Sequence, residues 1–297
     1  MQRSIITQIL LYLLILFLLL IFAFAFKGII EMPRNLEFFG LRFNLYGLIL
    51  GIAFLTVFQQ FQQLLTKKEI RLVKPMFPWL ILSMLFCARA WHVITDYELY
   101  KDNIVGAFYI WNGGLSIFGA LLGLFVCLMF VLYLKGLKIG RPVFRSPGEK
   151  ELGILEKLVL YIPFGQFIGR LGNFVNYELF GPPTNLPWGM FVPEKYRPIE
   201  FVSSQFFHPA FLYEMIGTGL LFLLMQYQYK RRGIKGDVTF FYLYLTGYGL
   251  VRFFVDFFRM DPDTFWSLSV GQITSLLMIA IGASLLALNT TRSLRSR

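Results

Sequence analysis

The chain has 297 residues, 57% hydrophobic and 15% charged, and its mean hydropathy is positive. A soluble domain carries about 25% charged residues, so this composition excludes one and places the chain in lipid. The net charge of +11 does not imply a nucleic-acid partner, because the basic residues fall in short clusters between apolar runs and form no single stripe. Cys87 and Cys127 lie inside apolar runs, with no CxxC spacing and no histidine or carboxylate at ligand intervals. Neither a disulfide nor a bound metal is expected.

Runs long enough to cross a hydrocarbon layer of about 30 Å, which takes about 20 helical residues, are predicted at 5–26, 41–64, 77–95, 114–134, 155–171, 209–228, 237–258 and 269–289. The predicted fold class is all-α, a polytopic transmembrane helical bundle of about eight spans. Arg3, the cluster Lys67, Lys68, Arg71 and Lys74, the basic stretch 135–157, the cluster Lys230 to Lys235 and the tail arginines together hold 18 of the 28 basic residues. The connections between them carry Asp96, Glu98, Asp102, Asp261 and Asp263. Positive charge marks the cytoplasmic side, so both termini are expected there.

The first span, with Arg3 before it and Ala23-Phe24-Ala25 at its end, also fits a cleavable signal peptide. Its apolar stretch exceeds the roughly 7–15 residues of a signal core, which favours an uncleaved anchor. Residues 1–30 are therefore read as an additional N-terminal anchor and 31–297 as the main membrane domain. Gly47 and Gly51, Gly119 and Gly123, and Gly165 and Gly169 are spaced for close helix approach, with plain packing as their simplest role.

In this orientation the polar intramembrane residues collect toward the outer face. Arg170 and Asn173 end the fifth span, and Tyr248, Arg252, Asp256 and Arg259 occupy the outer part of the seventh. Tyr46 and the Gly113-Gly114 pair open the second and fourth spans, His208 opens the sixth, and Arg89 lies in the outer half of the third. Tyr248, Arg252 and Asp256 follow at i, i+4 and i+8, so one helical face carries them. An ionisable group in a span costs about 2.5–3.5 kcal/mol on insertion scales and ordinarily faces the bundle interior for a functional reason. Guanidiniums hold phosphate bidentately and stay charged, so Arg170 and Arg252 facing an outer cavity point to an anionic lipid headgroup. The plainer alternative is an Arg252–Asp256 salt bridge with Arg259 snorkelling to the headgroups. Arg89 is a lipid contact or an internal ion-pair partner, and Gly113-Gly114 is either an anion-binding nest or a flexible turn. His92 beside Trp91, and Trp79, Trp111, Trp188 and Trp266, read as interfacial residues.

Gly169 to Gly181 reads GRLGNFVNYELFG. It resembles the signature G-R-x-[GA]-N-F-x-N-x-E-x-x-G of bacterial prolipoprotein diacylglyceryl transferases at every fixed position. The resemblance continues in Leu45-Tyr46-Gly47, WNGGLSIFGALLG at 111–123, HPAFLYE at 208–214, GYGLVRFFVDFFR at 247–259 and Gly271-Gln272. It covers about residues 40–290 and leaves the first span as an addition to a seven-span pattern. The resemblance implies transfer of the diacylglyceryl group of phosphatidylglycerol to the lipobox cysteine of a prolipoprotein signal peptide, with release of glycerol phosphate. It implies no cofactor, and a multi-pass protein of the bacterial cytoplasmic (inner) membrane whose active site faces the extracytoplasmic side. By the same resemblance Arg170 and Arg252 contact the phosphate, while Asn173, Glu178, Gly181, Tyr46 and Tyr248 shape the lipid site. Asp256 stands where the family usually has glutamate. Phe118-Gly119 replaces a histidine-glycine pair of many members, a substitution read as subtype variation.

With Phe118 unable to take a proton, His208, Glu178, Asp256 and the Tyr248 phenol are the candidates to draw the proton from the substrate thiol. His208 has the most suitable intrinsic pKa, and capping of the loop is its alternative role. Catalytic roles are thus expected of Arg170, Arg252, His208 and Tyr248. Substrate binding is expected of Tyr46, Gly113, Gly114, Asn173, Glu178, Gly181, Asp256 and Arg259. The competing functions are a non-catalytic relative that binds lipid or lipoprotein and a transporter of an anionic substrate. The latter should show inverted repeats or broken spans near the midplane, which the sequence does not display.

Overall fold

A computed structural model describes residues 13, 16–38, 41–101, 103–109, 119, 120, 122, 123, 126, 127, 149–260, 264, 265 and 268–295. Its helices are α1 (Leu16–Phe26), α2 (Leu45–Leu64), α3 (Lys67–Val73), α4 (Phe77–Thr95), α5 (Glu149–Val159), α6 (Ile162–Asn176), α7 (Ala210–Arg232), α8 (Thr239–Asp256) and α9 (Val270–Arg295). Among the described residues, five helical stretches are long and apolar enough to cross a membrane: Leu45–Leu64, Lys67–Thr95, Leu152–Asn176, Ala210–Arg232 and Gly271–Asn289. The chain is a polytopic helical membrane protein. The expected span at 114–134 lies largely outside the described residues. Of the expected span at 5–26, the described helix Leu16–Phe26 is apolar but short. The expected span at 237–258 forms α8 of 18 residues, whose tyrosines, Arg252 and Asp256 lower its hydropathy below that of the five.

The structure is mostly helical, as expected, and adds short strands. Among the described residues three two-stranded antiparallel pairs occur: β1 (Asn35–Phe38) with β2 (Leu41–Asn44), β3 (Met190–Phe191) with β4 (Phe206–Phe207), and β5 (Thr264–Phe265) with β6 (Leu268–Ser269). All are in connections between helices, where backbone groups without a helical partner pair across a short ladder. Runs of two to four residues leave almost no periodic signal in the sequence.

The chain divides into two compact units, one of Met1–Val57, Val159–Gly233 and Thr239–Arg297, the other of Phe58–Leu158 and Ile234–Val238. In the larger unit, α6 packs on α7, α7 on α8 and α8 on α9. Small residues permit this approach. A Cβ added at Gly249 would lie 3.0 Å from the Ser275 carbonyl oxygen, and one at Gly282 would lie 2.8 Å from the Thr246 nitrogen. An apolar core joins Ala25 and Phe26 of α1, Phe174 and Val175 of α6, Met190, Val192 and Phe207 of the β3–β4 region, and Phe211 of α7. Phe22 lies with its ring centroid 4.6 Å from that of Phe174. The helix Leu16–Phe26 is therefore packed into this unit at its C-terminal end.

In the smaller unit, Thr66 and Glu69 form a capping box at the start of α3, and Lys157 reaches both Glu69 carboxylate oxygens at 2.8 Å. The buried Glu156 accepts from the Gly236 backbone N–H at 2.8 Å. Arg89 is 7% exposed and donates to the Ala107 and Gly106 carbonyls at 2.7 and 2.8 Å, so it ties down a loop. His92 pairs with Asp96 at 2.8 Å.

The glycine pairs differ in role. A Cβ at Gly119 or Gly123 would lie 2.2 or 2.3 Å from a carbonyl oxygen of α4, whereas Gly47 and Gly51 have nothing within 4 Å. Overpacking a tight contact costs about 1–3 kcal/mol, and alanine in an open helix position gains up to about 1 kcal/mol over glycine. Gly282→Ala is therefore expected to lower the thermal midpoint in detergent, and Gly51→Ala to leave it unchanged or raise it. Equal effects would refute close packing at the α8–α9 contact.

Candidate active site

Helix α6 starts with Pro163 in its first turn and ends at Tyr177, which takes the left-handed conformation at φ 53° and closes the helix by donating its N–H to Asn173 and Phe174. Leu179 is also left-handed, at φ 56°. Non-glycine residues in this region cost of order 1 kcal/mol or more and persist where surrounding contacts over-determine them. Those contacts are present. The Tyr177 hydroxyl accepts from the Met32 N–H at 2.9 Å, its ring stacks on Tyr196 at 5.0 Å, and the Arg34 guanidinium covers Tyr196 at 3.8 Å. Burial raises the pKa of the Tyr177 phenol, which keeps it neutral. The tight reversal folds Glu178 back onto the helix end, where it accepts from Asn176 at 3.1 Å and Asn173 at 3.5 Å.

Arg170 and Arg252, from α6 and α8, meet at a residue of the helix packed against both. Glu214 of α7 is 1% exposed. Its Oε1 accepts from Arg170 Nη2 and, at 3.0 Å, from the Tyr248 hydroxyl, while Oε2 lies 3.6 Å from Arg252 Nη1. Arg170 also donates to Asn173 Oδ1 at 3.0 Å. Behind this group Tyr244 stacks on Tyr248 at 5.7 Å and accepts from Gln166 at 3.0 Å.

The charge ladder continues along α8. Arg252 Nη2 lies 3.1 Å from Asp256 Oδ1, and Arg259 Nη1 lies 3.8 Å from the same oxygen. The shorter aspartate thus reaches both arginines. It is held from the end of β6, just before α9: Ser269 Oγ donates to Asp256 Oδ2 and accepts from the Gln272 N–H at 2.9 Å, while Gln272 Oε1 accepts from the Ser269 N–H at 3.0 Å. A Cβ at Gly271 would lie 2.7 Å from Asp256 Oδ2. This accounts for Gly271-Gln272, a motif without a role in the sequence reading.

The remaining expected residues fall around this ladder or apart from it. The Tyr46 ring lies on α6 where a Cβ at Gly172 would come within 2.5 Å of it. Gly181 donates to the His208 carbonyl at 2.7 Å, and a Cβ there would lie 2.0 Å from the Phe258 carbonyl oxygen. His208 Nδ1 is 3.0 Å from the Tyr213 hydroxyl, which accepts from Trp188 at 3.0 Å. Among the described residues His208 has no hydrogen bond to the Glu214 cluster. Gly113, Gly114 and Phe118 lie outside the described residues.

Sequence reading did not assign Glu214 or Ser269. The signal for Glu214 was present: a lone carboxylate in the predicted span 209–228, inside HPAFLYE, is as costly there as any arginine. Ser269 carried no signal, since serine near a helix start is ordinary. Chemically, the cluster offers two guanidiniums from different helices around one carboxylate. Arg170 retains a buried Nε–H without a hydrogen-bond partner among the described residues.

A family model described as Prolipoprotein diacylglyceryl transferase matches residues 33–288. Among similar curated proteins, one from Thermosynechococcus vestitus is 30% identical over 240 residues, covering 80% of this chain and 85% of that protein. One from Prochlorococcus marinus subsp. pastoris is 34% identical over 261 residues, covering 80% and 83%, and one from Synechococcus elongatus is 32% identical over 257, covering 84% of each. All three carry the name phosphatidylglycerol--prolipoprotein diacylglyceryl transferase. The matched segment contains every residue of the Arg170–Glu214–Arg252–Asp256–Arg259 ladder, and the chain belongs to the prolipoprotein diacylglyceryl transferase family.

Proposed function

We propose that this chain transfers the diacylglyceryl group of phosphatidylglycerol to the lipobox cysteine thiol of prolipoproteins, the first step of lipoprotein maturation. In this reading a thiolate attacks the glycerol carbon that bears phosphate, the carbon–oxygen bond breaks, and glycerol phosphate departs. The observation that carries the reading is the meeting of Arg170 and Arg252, from separate helices, at one buried point. Such a pair stabilises charge gathering on a departing phosphate. Tyr248 shares the carboxylate of that point. Asn173, Glu178, Tyr46 and Gly181 shape the surrounding lipid site. Arg259, held by Asp256, extends the positive edge for the headgroup. His208 is the proposed proton acceptor for the thiol.

The basic clusters support eight spans with both termini in the cytoplasm of a bacterium, residues 1–30 as an anchor preceding the transferase region, and a site open to the extracytoplasmic leaflet of the inner membrane. There both substrates are at hand: the lipid from the bilayer, and the signal peptide of an exported protein.

Purified protein incubated with phosphatidylglycerol and a lipobox peptide is expected to add a diacylglyceryl mass to the peptide cysteine. Absence of the adduct with folded protein would assign the chain to lipid binding without turnover. Losing one charge-assisted hydrogen bond costs about 1.5–3 kcal/mol, and each 1.36 kcal/mol is about tenfold in rate. Arg252→Lys, which keeps charge but loses the bidentate fork, should therefore lower kcat/KM by about 10- to 100-fold. Near-normal turnover would make Arg252 structural. His208→Asn is expected to abolish adduct formation across about pH 6–8, where an imidazole base operates; retained activity would move proton transfer to a carboxylate or to Tyr248.

A further inference from the structure

We propose that Glu214 is a positioning residue for this transfer: its carboxylate holds the Arg170 and Arg252 guanidiniums at one spacing, so that an incoming phosphodiester meets donors already aimed. The inference rests on the reading of those two arginines as the lipid-phosphate site. Three observations carry it.

The first is placement. Glu214 sits on α7, which packs against both α6 and α8, and it is 1% exposed. Its two oxygens are divided between the partners, Oε1 to Arg170 and Tyr248, Oε2 to Arg252. An arginine side chain has many rotamers, and two unfixed guanidiniums can hold a phosphate in arrangements that do not serve transfer. A fixed anion between them removes that freedom beforehand, as a near-attack geometry requires.

The second is charge. Arg170, Arg252 and Arg259 face Glu214 and Asp256 along the ladder, three cations against two anions. Without Glu214 both guanidiniums would remain to hold an anion, but without the fixed spacing.

The third is spare donor capacity. Arg252 Nη1 stands 3.6 Å from Glu214, beyond ordinary hydrogen-bond length, and Arg170 Nε has no hydrogen-bond partner among the described residues. Both guanidiniums are anchored by Glu214 yet not saturated by it. No bond to Glu214 forms or breaks in the reaction, and the thiol proton does not pass through it; its action is exerted through the arginines.

The test uses the full chain in detergent with phosphatidylglycerol and a lipobox peptide, and measures kcat, KM for the lipid and the thermal midpoint of Glu214→Gln and Glu214→Asp. Glu214→Gln keeps volume and one acceptor oxygen but loses charge; it should lower kcat by about 10- to 100-fold with no rise in KM. Glu214→Asp keeps charge at shorter reach, and its kcat should fall between that variant and the original chain. Unchanged kcat in Glu214→Gln would overturn the proposal. So would a loss that tracks the loss of folded protein, with Glu214→Asp no better. If the unaltered chain makes no adduct, the transfer reading is what fails, and phosphatidylglycerol retention in native mass spectrometry decides the role of Glu214. Retention by Glu214→Gln at least equal to that of the unaltered chain supports the positioning role at the phosphate site, and weaker retention overturns it.

Discussion

A buried carboxylate held between two guanidiniums is the interaction on which the rest of the larger unit depends. Removing one partner from a buried pair typically costs about 3–5 kcal/mol, because the other charge is left without compensation. Glu214, Arg170 and Arg252 therefore constrain one another. Because they lie on α7, α6 and α8, their pairing specifies how these helices register as well as how they are charged. Apolar packing alone would not do this: in lipid, hydrocarbon surfaces on helices and acyl chains are nearly equivalent, and specificity falls to polar contacts and small-residue close approach.

The ladder is stiffened from both ends. At the α6 end, left-handed Tyr177 and Leu179 turn the chain so that Glu178 reaches Asn173 and Asn176, and Met32, Arg34 and Tyr196 hold the turn from the loops. At the α8 end, Ser269 and Gln272 hold the Asp256 carboxylate, and Gly271 leaves room for it. The close α8–α9 approach at Gly249 and Gly282 brings that latch within reach. Each arginine of the ladder thus contacts a carboxylate.

The stripe Tyr248, Arg252, Asp256 was legible before any coordinates, since helical periodicity puts residues at i, i+4 and i+8 on one face. The plainer Arg252–Asp256 salt bridge was legible too, and the structure contains it. It coexists with the Glu214 contact, so the two readings of Arg252 do not compete. Arg89 reads as polar and intramembrane in sequence, but its two carbonyl contacts make it a loop anchor. A guanidinium that binds backbone oxygen leaves no pattern in its neighbours' identities.

Hydropathy and the distribution of basic charge were sufficient to identify a polytopic helical membrane protein, because the cost of burying polar groups in hydrocarbon acts on each segment separately and is written into local composition. The motif from Gly169 to Gly181 was sufficient for the family. Which carboxylate would stand between the arginines, which serine would hold Asp256, and where short strand pairs would form were decided only in three dimensions. These depend on contacts between residues 34, 44 or more positions apart in the chain or on single atoms such as Ser269 Oγ, and no local periodicity records how helices distant in sequence turn toward one another.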